Sequence, residues 1–187
     1  PDPFAKEKYI LKNFEPTFVS PIILVLNPEV VVDQTNLKNK IPDDNFKTRL
    51  SDPRIGTNGP TIQDYSTAID EDLQVRLVAK HRLEKRDPNA ARSEAVEPII
   101  YYVDSGTPEP IKSALIEGAS WWNQAYEAAG FIDAFQVMEL PAGADAQDVR
   151  YNMIHWTHRR TRGYSYGGSV QDPRTGEIIK GNVNLGS

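Results

Sequence analysis

The sequence contains no cysteine. Disulfides and thiolate metal sites are therefore excluded, and the redox compartment stays undetermined. Positive charge is in deficit: 21 Lys and Arg stand against 26 Asp and Glu, a formal net charge of -5. A general affinity for nucleic acid phosphates does not fit that balance. No long hydrophobic run is present either. The longest, PIILVLNPEVVV from Pro21 to Val32, is interrupted by Asn27 and Pro28 and is too short to span a bilayer. There is no G-x-G-x-x-G, no phosphate loop and no G-x-S-x-G elbow. No signal-peptide pattern opens the chain; PDPFAKEKY reads as cut from a longer precursor, which leaves location open.

What is there is ordinary for a soluble globular protein, 39% hydrophobic and 25% charged over 187 residues, enough to bury a real core. The polar stretch EKRDPNAARSEAVEP, Glu84 to Pro98, reads as a linker or surface loop. It divides the chain into a mainly β N-terminal region, 1–88, and a second region, 89–187. In the first, KYILKNF, SPIILVLN and EVVV read as strands. NKIPDDNFKTRLSDPRIGTNGPT is rich in turn formers and reads as irregular. In LQVRLVAKHRLEK, the residues Val75, Leu77, Ala79, His81 and Leu83 alternate with Arg76, Lys80 and Arg82, the pattern of a half-buried strand.

The second region reads β-α-β-β-β-β, giving an α+β protein with one long helix on a mixed sheet. Pro98 to Gly106 is a nearly continuous apolar strand. The helix follows, with Ser105 or Thr107 as its cap. Ile111, Ala114, Leu115, Gly118, Ala119, Trp122, Ala125, Tyr126 and Ala129 share its core face, and Gly130 stands at its end. Trp122 on that face is expected to be buried, with Trp121 beside it. Ala134–Leu140 and Tyr151–His158 are further strands, and the last segment is a hairpin turning at Asp172–Gly176. One sheet face takes the helix, and the opposite face is left needing a cover. The chain ends on the return strand of this hairpin, so it is expected to be the front part of something larger.

Few residues offer chemistry. His155 and His158 are three apart on a strand and point to opposite faces, so they make poor partners for one metal. His81 lies on the apolar side of its strand. The basic THRRTRG, Thr157 to Gly163, could grip an acidic group, though a solvated strand end is the plainer reading. Glu109 sits where it serves the helix dipole. No catalytic constellation and no metal site emerges from the residues themselves.

RLEKRDPNA, PIIYYVDSGTPEPIKSALIEGASWWNQAYEAAGF and VRYNMIHWTHRRTRGYSYGGSVQDPRTGEIIKGNVNLGS closely resemble a family of large bacterial zinc-dependent metalloproteases of the metzincin type. The resemblance runs from about Arg82 to Ser187, and IPDDNFKTRLSDPRIG resembles the segment preceding that family's catalytic domain. It implies peptide-bond hydrolysis by a zinc-activated water, held by three histidines of H-E-x-x-H-x-x-G-x-x-H on a helix downstream of the hairpin. That motif is absent here, so no catalytic or metal-binding residue carries over. Zinc is expected in the full-length protein and no cofactor in this chain, which alone would be inactive.

The missing helix would cover the bare sheet face. The resemblance also implies a secreted, periplasmic or cell-surface location and a polypeptide substrate, which pairs with an antiparallel edge strand. By order along the chain that strand is Tyr166, Gly167, Gly168, Ser169 and Val170. The return strand from Glu177, Ile178 and Ile179 could equally be the edge, and the glycines could simply ease a bulge. The other reading is a non-catalytic polypeptide-binding or pro-segment module. An uncovered sheet also makes self-association possible.

Overall fold

The computed structural model describes residues 45–161 and 163–186. The strands expected at KYILKNF, SPIILVLN and EVVV lie outside the described residues. The elements are β1 (Thr61–Gln63), β2 (Gln74–Arg76), β3 (Ser93–Glu94), β4 (Ile99–Val103), α1 (Ile111–Ser120), α2 (Asn123–Ala128), β5 (Phe131–Ile132), β6 (Phe135–Glu139), β7 (Asn152–Thr157), β8 (Tyr166–Gln171) and β9 (Ile178–Gly186). The protein is α+β. Its main sheet is mixed and five-stranded, in the order β6-β4-β7-β9-β8. The first four strands run parallel, and β8 returns antiparallel to β9.

The helix is shorter and less regular than its sequence suggests. Two α-helical pieces are joined through Trp121 and Trp122, both still in right-handed helical conformation. Neither Ser105 nor Thr107 caps it. Pro110 is the first flanking residue, and Glu109 fills the capping role from there. Its carboxylate accepts the Ser113 N–H at 3.3 Å and the Ser113 hydroxyl at 2.7 Å, satisfying one of the first-turn amides. Those hydrogen bonds hold the Glu109 carboxyl below its usual range. The Thr107 hydroxyl is instead buried without a hydrogen-bond partner. Gly130 closes the helix at φ 87°, the left-handed residue expected there.

Lys112 Nζ to Glu139 at 2.7 Å fastens α1 to β6. The helix lies mainly against β6 and the near side of β4. No residue of either piece is fully buried. Trp122 is 66% exposed, not a core residue. The small residues Ala114, Gly118 and Ala119 cannot fill the space to the sheet. A side-chain carbon added at Gly118 would meet nothing within 4 Å.

The face opposite the helix carries a cover after all. Tyr102, Met153 and Lys180 point to that side by strand alternation and register. The connection between β6 and β7 folds over them. Lys180 is buried, and its Nζ donates to the carbonyls of Ala146 and Asp148, each at 2.8 Å. Met153 is fully buried, and Tyr151 meets Tyr102 edge-on at 5.1 Å. Sequence pattern hides this cover because the segment PAGADAQDV has no periodicity. Its contribution is backbone carbonyls and the buried Val149.

The expected long strand at Leu73–Lys85 is a strand only over Gln74–Arg76. Beyond it the chain crosses between partners. Leu77 bridges Leu50, and Lys80 bridges Glu177 in the hairpin. Leu77 and its neighbour Val78 are both buried, so the two-residue alternation breaks there. Glu84 to Pro98 is likewise folded onto its surroundings: Lys85 bridges Ala95, and β3 pairs parallel with β5.

Candidate functional site

Two features of the sheet could do work: its free edge and the space beside its helix. The edge is β8. Among the described residues β8 has one strand neighbour, β9, while β9 lies inside the sheet between β7 and β8. Of the two edges the sequence left open, Tyr166 to Val170 is therefore the outer one. The start of the return strand is covered: Ile178 N–H donates to Lys80 O at 2.9 Å, and Lys80 N–H to Gly176 O at 3.1 Å.

The hairpin is fixed at its far end. Asp172 accepts the Arg174 amide and guanidinium, and its carbonyl accepts the Gly176 N–H at 2.8 Å. Gly176 has φ 79°, and a side-chain carbon there would stand 2.6 Å from Val78 O. Only glycine meets both conditions. A register shift between Val170 and Gln171 adds the bulge. Arg82 clamps the same corner, its guanidinium donating to both Glu177 oxygens at 2.9 and 3.1 Å.

Along β8 itself, Tyr166, Gly167 and Gly168 are exposed and Ser169 and Val170 half-buried. Gly168 differs in kind from Gly176. It has no positive φ, and a side-chain carbon added there would meet nothing within 4 Å. The fold places no demand for glycine at 168.

The second feature is a groove of about 520 Å³ between the helix and the sheet face it lies on. Its apolar lining includes Leu115, Trp122, Ile154, Val183 and Leu185. An aromatic chain crosses its floor. Tyr126 stacks on Phe135 at 5.5 Å, Phe135 lies 5.7 Å from Tyr101, and His81 meets Tyr101 edge-on at 6.2 Å. Burial pushes the Tyr101 and Tyr126 phenols above their ordinary range. The open apolar surface thus adjoins the helix, where the sequence placed it on the opposite face.

The histidines stay apart. His155 Nδ1, within β7, lies 3.2 Å from Oδ2 of Asp104, the residue just past β4. His158 is exposed beyond β7, and His81 lines the groove. Among the described residues no group of three His, Cys, Asp or Glu could hold a metal ion. Sequence reasoning missed Asn152. Its amide donates to Ile100 O at 2.8 Å and its Oδ1 accepts the Gly181 N–H at 2.8 Å, joining β4 to β9 through β7. A lone asparagine at a strand start gives no sequence signal of that role.

Among known proteins, a family model described as a domain of unknown function, DUF5117, matches residues 27–86. No curated protein and no solved structure matches the chain. The matched residues precede the five-stranded sheet. Among the described residues no helix is long and apolar enough to cross a membrane.

Proposed function

We propose that the sheet is a polypeptide-docking scaffold of a metzincin-type zinc metallopeptidase. An extended chain adds itself to β8 by main-chain hydrogen bonds, with Tyr166 to Val170 as the docking residues. One observation carries the reading: β8 is an antiparallel edge strand with a single strand neighbour among the described residues. Gly168 supports it, because an edge glycine that its own fold does not require leaves room for another chain. The resemblance of Arg82–Ser187 to that protease family supplies the enzyme class.

The described residues do not fit a zinc site. His155 is engaged with Asp104, and the other histidines lie elsewhere. Hydrolysis on this reading rests on an H-E-x-x-H outside these 187 residues, and no chemical step is assigned to the residues present. A secreted, periplasmic or cell-surface location belongs to the same proposal.

Hydrogen exchange tests the docking edge. Adding an extended Thr/Val peptide should slow exchange at alternate amides of β8, those pointing away from β9, and leave β4 and β7 unchanged. Gly168→Pro should remove the effect. Unchanged β8 exchange at saturating peptide would end the docking reading. The gene sequence past Ser187 separates enzyme from binding module. An H-E-x-x-H soon after the hairpin favours the peptidase, and a stop codon favours a non-catalytic polypeptide-binding module.

A further inference from the structure

The docking edge begins next to a locally basic, acid-free stretch. From Tyr151 to Gln171 the sequence YNMIHWTHRRTRGYSYGGSVQ contains no Asp or Glu, yet it carries Arg159, Arg160 and Arg162. Elsewhere the chain is acidic enough to leave the whole at -5. The patch lies in the connection from β7 to β8, so it stands at the first residue of the edge strand.

Arg159 is tied to the head of the strand. The Arg159 guanidinium lies over the Tyr166 ring at 5.9 Å and donates to Tyr164 O at 3.1 Å. Arg160 is exposed beside it. Tyr164 is 90% and Tyr166 59% exposed, large aromatics left in solvent at the head of the edge strand.

We infer that the polypeptide docked on β8 is acidic, with carboxylate side chains set against Arg159 and Arg160 while its backbone pairs along Tyr166–Val170. The inference rests on the docking reading above. The physical reason is complementarity: a peptide carrying two carboxylates at one end meets local positive charge there. The chain's net charge of -5 gives an acidic peptide no general attraction, so the local arginines favour one register and one end. Arginines at an exposed rim contribute modestly to affinity, so the preference is one of placement and is weakened by salt.

The test uses the 187-residue chain and two fluorescein-labelled Thr/Val peptides of equal length. One ends in two glutamates and the other in two glutamines. Binding is followed by polarisation at low and high sodium chloride. At low salt the glutamate peptide should bind about tenfold tighter, and high salt should largely erase the difference. Arg160→Glu should reverse the preference without touching the contacts of Arg159. Arg159→Glu should do the same if its loop stays folded.

Equal binding of both peptides, lost for both in Gly168→Pro, would keep the docking edge and overturn the acidic preference. Glutamate-peptide binding that survives Gly168→Pro would place the charge recognition away from the edge and overturn the inference. Binding of neither peptide would remove the docking reading and this inference with it.

Discussion

Gly168→Val separates what the fold needs from what a partner needs. A glycine inside a strand is less stable than alanine by about 0.5–1 kcal/mol, because its backbone loses more freedom on folding. A β-branched residue gains further on a pleated surface, on a scale spanning about 1 kcal/mol. Gly168 has no positive φ, and an added first side-chain carbon would meet nothing within 4 Å, so the backbone and the Cβ position do not oppose those gains. The variant should be about 1 kcal/mol more stable, a rise of roughly 2–4 °C in Tm for a domain of this size. Urea denaturation, with unchanged slope, reads it directly. The valine side chain would stand beside the incoming strand, so peptide binding should weaken several-fold in the same variant. Destabilisation by more than about 0.5 kcal/mol would mean that the fold itself requires glycine at 168. Full stability gain with undiminished peptide binding would mean that the glycine serves no partner.

Further outcomes follow from the same structure. Gly176→Ala should destabilise by about 1–2 kcal/mol or more, since φ 79° is costly for any side chain and Val78 O stands 2.6 Å away; a neutral result in urea would contradict that turn geometry. Lys180→Met should cost about 3 kcal/mol, because it strips the carbonyls of Ala146 and Asp148 of their donor. Faster hydrogen exchange over 141–150 should accompany it, and a midpoint equal to the parent would refute the role. For Asp148, burial pushes the carboxyl up, but the Arg150 hydrogen bonds and the nearby Lys180 charge outweigh it, and the net shift is downward. Its stabilising contribution is therefore complete above the ordinary carboxylate range and is lost as pH falls below about 4; Asp148→Asn should flatten that part of the stability–pH curve. Trp122→Ala, at an exposed position, should cost well under the 3–5 kcal/mol of a buried aromatic. Sedimentation should show concentration-dependent self-association that Gly168→Pro reduces; a strictly monomeric parent at high concentration would remove that expectation.

The hairpin was legible because its turn chemistry is local. Asp172, Pro173 and Gly176 specify the bend whatever packs around it. The apolar run of β4 and the βαβ order were legible for the same reason. Trp122 was not. Helical spacing shows which residues share a face, and Trp122 does share the groove face with Leu115 and Tyr126. Spacing cannot show how near the sheet that face comes, and the small residues Ala114 and Gly118 leave it open. Alternation puts Lys80 on the polar side of a strand, yet the segment crosses onto the hairpin, and burial there lowers its pKa from the usual lysine range against the raising charge of Glu177. Which strand formed the edge was decided by pairing between residues far apart in sequence, Met153 with Asn182 among them. No local signal carries that.

The crossing of Lys80 and Arg82 onto the hairpin has a practical consequence for dissecting the protein. Glu177 has only 11% of its side chain exposed, and the Arg82 guanidinium bonds both its oxygens. A shortened polypeptide starting near residue 89 would keep every strand of the five-stranded sheet and discard the cation. The return strand would then lose the Arg82 ion pair and the Lys80 backbone bridge together, both of which hold its first residues in place. Such a truncation should be less stable in urea than a chain that keeps Arg82 and Lys80. A cut placed ahead of Phe46, whose ring sits under Lys80 at 4.2 Å, keeps the clamp whole.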